Sequence, residues 1–238
     1  MRGRLLLIAF ALALASKSGC TARHADTASG PIVLIVVDTL RADHLPCYGY
    51  ERSTGPEICA LAADGVLFER AYTPRTLTTP AIASMFTGLP PHRHGVKQLY
   101  TALPEQATTV AETLRSGGFR TGAFVSSFVM VANFSGLSQG FEAYDDRMTE
   151  REAVYENYQR SAAETVRRAL EWLDTAGPRS FLFVHLIEPH GPYTPPSPFF
   201  ERFVLPAGGP KVPKKKLPER QRLPGVDSVA EYVGRYDG

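Results

Sequence analysis

The sequence predicts an α/β protein, a three-layer α/β/α sandwich built on a mainly parallel sheet. Three stretches carry this. Ile32–Val37, Thr121–Ser126 and Phe181–Leu186 are near-continuous apolar runs without polar alternation, as expected of strands covered on both faces. Helical patterns separate these runs, and strands alternating with helices build parallel sheets. The chain has 238 residues, 44% hydrophobic and 21% charged, enough for one substantial core.

The first residues read as targeting rather than fold. Arg2 and Arg4 precede the apolar run Leu5–Ala15, and small residues lead to Cys20. This is the pattern of an export signal over residues 1–20, too short for a committed transmembrane helix. The competing reading is an uncleaved membrane anchor. Ser18-Gly19-Cys20 resembles the end of a bacterial lipoprotein signal, which would make Cys20 the lipid-bearing residue and the membrane a partner. Residues 21–30 form a polar tether. The expected location is the periplasm or cell envelope. A net charge of +2 gives no global field for nucleic acid, and none is expected as a partner. With Cys20 set aside, Cys47 and Cys59 remain; two separate buried thiols are expected, a disulfide in an oxidising compartment being the alternative.

The next elements follow in order. The first strand ends at Asp38, where open α/β folds collect functional groups; the competing role for Asp38 is a cap. Residues 55–72 predict a short helix, a stop at Gly65 and a strand. A second helix from about Thr108 to Arg115 stops at Gly117-Gly118 before the strand Thr121–Ser126. Residues 150–176 predict one long helix whose buried stripe is Val154, Tyr158, Ala162, Val166, Leu170 and Leu173. From Pro192 prolines are frequent and "KVPKKKLPERQR" is basic, so residues 192–238 read as a largely irregular, solvated excursion.

Between these elements lies "TLTTPAIASMFTG", Thr76–Gly88. Pro80 suits a first helical turn, Thr78 or Thr79 suits the cap, and Gly88 is a stop. A buried helix start presents free N–H groups and partial positive charge, so a hydroxyl there can meet a sulfate or phosphate. A divalent cation held by Asp38 would favour the alkoxide and make that hydroxyl a nucleophile.

Six blocks occur in one order: "VLIVVDTLRADHLPCYGY", "LAADGVLFERAYTP", "TTPAIASMFTGLPPHRHGV", "LRSGGFRTGAFVSS", "GLSQGFEAYDD" and "FLFVHLIEPHGPYTPP". Together they resemble the sulfatase family of the alkaline-phosphatase superfamily, from Ile32 to about Pro196. The resemblance implies an alkaline-phosphatase-like fold and makes residues 31–238 the N-terminal part of a sulfatase-like catalytic domain, its C-terminal half missing. Asp38 matches the first acidic metal ligand; Thr39 stands where type-I sulfatases carry a second acid. Their nucleophile is a Cys or Ser, followed two residues later by Pro and four later by Arg. Here Thr78 holds the nucleophile position and Ile82 replaces the arginine, so no formylglycine is expected. Threonine is a metal-bound nucleophile in phosphoethanolamine and phosphoglycerol transferases of the superfamily. His190 matches the histidine that faces the bound ester, and Arg93 and His94 match a block of mixed structural and substrate-binding character. His185, on the strand, is expected to be a satisfied core histidine.

The implied function is a metal-dependent hydrolase of sulfate esters, small-molecule or glycan. One divalent ion is expected: calcium as in formylglycine sulfatases, or manganese or zinc for a threonine-centred site. The alternatives are a threonine-nucleophile phosphodiesterase or phospho-group transferase, and a non-catalytic sulfatase-like binding protein or fragment.

Overall fold

The computed structural model describes residues 30–151, 158–204 and 225–238. The export signal, Cys20, most of the tether and the lysine-rich run lie outside the described residues. In chain order the elements are β1 (Ile32–Val37), α1 (Pro56–Asp64), α2 (Thr78–Thr87), α3 (Pro91–His94), α4 (Val110–Ser116), β2 (Arg120–Val125), α5 (Ala132–Ser135), β3 (Ala143–Asp145), β4 (Glu150–Arg151), β5 (Tyr158–Gln159), α6 (Ala162–Ala176), β6 (Ser180–Leu186), α7 (Phe199–Phe203) and α8 (Val229–Asp237). The main sheet has the order β1-β6-β2-β3, and each of its pairings is parallel.

Strand parity builds the layers. Ala123 and Val125 of β2 and Phe181 and Phe183 of β6 face one way, into a core with Ile82 and Phe86 of α2 and Ala111 of α4. Phe124, Leu182 and Val184 face the other way, against Ala169, Trp172 and Leu173 of α6. Phe86 meets Phe183 edge-on, with ring centroids 4.8 Å apart. Phe183 is fully buried, and burying such a ring contributes about 2–3 kcal/mol. Gly122 lets α6 approach β2: a Cβ there would lie 2.7 Å from the Trp172 ring. The cap of α4 is reciprocal, Thr109 accepting from the Glu112 N–H while the Glu112 carboxylate accepts from the Thr109 N–H.

Four expectations are corrected. Among the described residues β1 pairs with β6 alone, and Ile32, Val33 and Ile35 are exposed, so it is not covered on both faces. The described residues 66–72 form no strand, and Val66 and Phe68 are largely exposed; an apolar run becomes a strand only where a sheet edge receives it. The helix expected over 150–176 begins at Ala162. Its first part instead contains the short antiparallel pair β4–β5. Arg160 is drawn fully inside, to Asp145 and the Val125 carbonyl, and Ser161 caps the helix by accepting from the Glu164 N–H. The buried side of α6 carries Thr165, Ala169 and Ala176, whereas Val166 and Leu170 are exposed. Finally, Cys47 and Cys59 are joined in a disulfide, with Cα atoms 5.3 Å apart. The turn Pro46–Tyr48 packs on α1, which brings together two thiols twelve residues apart.

Candidate active site

The parallel pairing of β1 with β6 determines the site. Val36 lies opposite His185, and the Asp38 N–H continues the ladder by donating to the Leu186 carbonyl at 2.8 Å. Parallel strands end at the same edge, so Asp38 and His185 meet although 147 residues separate them. α2 packs its Ile82–Phe86 side into the core and thereby points its first turn at that edge.

Leu77, not a threonine, is the N-cap of α2, and it makes no side-chain cap bond. Thr78 is the first helical residue, and its Oγ1 donates to Asp38 Oδ2 at 2.8 Å. Thr79 is fully buried and donates instead to the Val129 carbonyl at 3.0 Å. Two adjacent hydroxyls therefore do different work, one facing a carboxylate and one tying α2 to the loop after β2.

His185 Nε2 lies 3.2 Å from the same Asp38 oxygen. Among the described residues its buried Nδ1 has no hydrogen-bond partner, which puts the proton on Nε2, and Nε2 donates to the carboxylate. Burial pushes the Asp38 carboxyl upward, but the hydrogen bonds from His185 and Thr78 outweigh it and hold Asp38 below the usual carboxylate range. Asp38 is thus ionised at neutral pH; it orients the Thr78 hydroxyl and makes a poor base for it.

A cavity of about 720 Å³ opens over this group and is lined by Asp38, Thr78, His185 and His190. His190 is exposed, and its Nδ1 donates to the Gly191 carbonyl at 2.7 Å, leaving Nε2 as the lone-pair nitrogen of the neutral ring. Arg75 supplies a cation to the lining, and Tyr100, Phe128 and Tyr158 supply an aromatic wall. Arg93 and His94 are not among the lining residues. His94 is buried: the Val96 N–H donates to its Nδ1, so Nε2–H donates to Ser84 Oγ at 2.8 Å. Burial lowers its pKa, and it bridges α3 to α2 as a neutral ring.

A sequence model of the sulfatase family matches residues 31–232. The chain belongs to the sulfatase family. Human arylsulfatase A is 41% identical over 97 residues, covering 38% of this chain and 19% of that protein. An N-acetylgalactosamine-6-O-sulfatase of Bacteroides thetaiotaomicron is 32% identical over 98 residues, with the same coverage. Among solved structures, the phosphonate monoester hydrolase of Agrobacterium radiobacter superposes with a TM-score of 0.62 at 23% identity, covering 76% of this chain and 45% of that one. The zinc complex of the C-terminal periplasmic domain of EptC from Escherichia coli gives 0.55 at 17%, covering 88% and 55%. These likenesses establish the alkaline-phosphatase-like fold, and each matched region is a fraction of the relative's own length.

The sulfatase family generally uses a divalent metal ion. Among the described residues, no group of three or more His, Cys, Asp and Glu is placed to hold one. The Asp38 carboxylate and the Thr78 hydroxyl are oxygen donors suited to a hard cation, and they amount to part of a shell. His185 is the site residue that the sequence underrated. A histidine near the end of a fully buried strand must find a polar partner, and the nearest strand end carries an acid.

Proposed function

We propose that this sulfatase chain is the nucleophile-bearing part of an exported sulfuric ester hydrolase. The observation that carries the reading is the 2.8 Å hydrogen bond from Thr78 Oγ1 to Asp38 Oδ2, at the sheet edge where this fold gathers its site groups. Thr78 attacks the sulfur of a sulfate monoester. The S–O bond to the leaving alcohol breaks, its oxygen takes a proton, and a threonine sulfate remains. Water then attacks that sulfur, the bond to Thr78 Oγ1 breaks, and the threonine hydroxyl and sulfate are released. His190 lines the cavity; its Nε2 lone pair would take the proton that Thr78 gives up and then pass it to the leaving oxygen. Arg75 would meet the anionic ester. A divalent cation, calcium or manganese or zinc, held by Asp38 and Thr78 would favour the alkoxide, which Asp38 alone does not. No substrate role is assigned to Arg93 or His94.

The test is turnover of 4-nitrophenyl sulfate against bis(4-nitrophenyl) phosphate by the intact gene product, with peptide mass mapping of trapped intermediate. The expected result is sulfate-ester release and a sulfo group on the Thr78 peptide. Faster phosphodiester turnover with a phospho group there would replace this reading with the phosphodiesterase one. Export is inferred from residues 1–20, and the Cys47–Cys59 disulfide suits an oxidising compartment. Among the described residues no helix is long and apolar enough to cross a membrane. Lipidation at Cys20 predicts membrane-fraction protein that becomes soluble in Cys20→Ala; equal partitioning of both forms would exclude the anchor.

A further inference from the structure

We propose that Tyr236 is a positioning residue for the Asp38 loop, and that α8 acts as the clasp that holds this loop at the cavity. The inference rests on the site reading above. The loop after β1 is held on one side by the sheet, through the Asp38 N–H and the Leu186 carbonyl. On the other side the Tyr236 hydroxyl donates to the Thr39 carbonyl at 2.7 Å and accepts from the Arg41 N–H at 2.7 Å. Thr39 has φ +57°, a left-handed conformation that a threonine keeps only where its surroundings impose it. Thr39 and Leu40 line the cavity next to Asp38, so the pinned peptides belong to the site wall.

The next residue completes the hold. The Asp237 side chain is fully buried and accepts from Tyr50 Oη at 2.7 Å and Arg52 Nη1 at 2.6 Å, with His44 Nδ1 at 2.6 Å. All three donors come from residues 44–52, the continuation of the same loop. The Tyr236 ring also meets Tyr193 edge-on at 5.5 Å, and Tyr193, on the loop that carries His190, lines the same cavity. One side chain therefore touches both loops that carry site residues. Burial raises the Tyr236 hydroxyl to about 12, so it remains a donor at neutral pH.

Tyr236→Phe isolates this role, because it keeps the ring contacts with His44 and Tyr193 and removes only the two hydrogen bonds. In the full chain, amide exchange at residues 39–41 should rise about tenfold while exchange in β6 stays native. For 4-nitrophenyl sulfate, kcat should fall about tenfold with KM little changed, the signature of misplaced site groups rather than lost substrate binding. Native exchange at residues 39–41 in Tyr236→Phe would overturn the clasp. Faster exchange with native kcat would overturn the positioning role. If the unmodified protein shows no sulfate-ester turnover, the functional reading falls, and exchange at residues 39–41 alone decides the clasp.

Discussion

Replacing Thr78 and Thr79 one at a time should separate activity from stability. Thr79 is fully buried, and Thr79→Ala leaves the Val129 carbonyl without that donor and deletes a packed methyl. An unsatisfied buried carbonyl costs about 1–2 kcal/mol and the methyl about 0.8 kcal/mol, together about 2–3 kcal/mol. For a chain of this size that lowers Tm by about 6 °C. Thr78 is half-buried, and its hydroxyl donates to a carboxylate that keeps His185 as a second donor. Thr78→Ala should therefore cost about 1 kcal/mol, or about 2 °C. Turnover should respond in the opposite order. Losing a covalent nucleophile costs on the order of a thousandfold or more in kcat, whereas Thr79→Ala should stay within about tenfold of native below its Tm. The assay is 4-nitrophenyl sulfate hydrolysis at several temperatures, with calorimetric melts of the same preparations. A Thr78→Ala protein that turns over at near-native rate would refute the nucleophile assignment. Equal Tm losses in the two variants would refute the division of labour between the hydroxyls.

Two further outcomes are expected. Reducing the Cys47–Cys59 bond, which closes a loop with a sequence separation of 12, should cost about 3 kcal/mol, read as a fall in the denaturation midpoint of native protein that is absent in Cys47→Ala/Cys59→Ala. Asp145 accepts from Arg147 and from the fully buried Arg160; burial pushes its carboxyl up, and these bonds outweigh that and hold it well below the usual carboxylate range. A folded pKa below the unfolded one means that the contribution is present above the ordinary carboxylate range and is lost as pH falls through the folded value. Asp145→Asn should cost about 3 kcal/mol at neutral pH and flatten the acid limb of the stability curve; an unchanged acid limb would show that Arg160 does not depend on this carboxylate.

The sequence alone determined the architecture and the chemical residue types. Phe181–Leu186 was readable because a strand inside a parallel sheet needs an unbroken apolar run, Ile32–Val37 because its run is β-branched although the strand lies at the sheet's end, and the stops at Gly65 and Gly88 because helix ends favour glycine. Asp38 stood out because it directly follows such a strand. The tertiary structure decided what one-dimensional patterns do not encode. The β1-β6-β2-β3 order brought His185 to Asp38, and the N-cap at Leu77 rather than a threonine freed the Thr78 hydroxyl for the carboxylate. The inward turn of Arg160 ended an otherwise plausible helix, because a buried guanidinium follows its partners rather than helical period. The hold of Tyr236 and Asp237 on the loop after β1 spans nearly the whole described chain. No local spacing could announce it, because hydrogen bonds of that range exist only once the intervening sheet has set the distance between their ends.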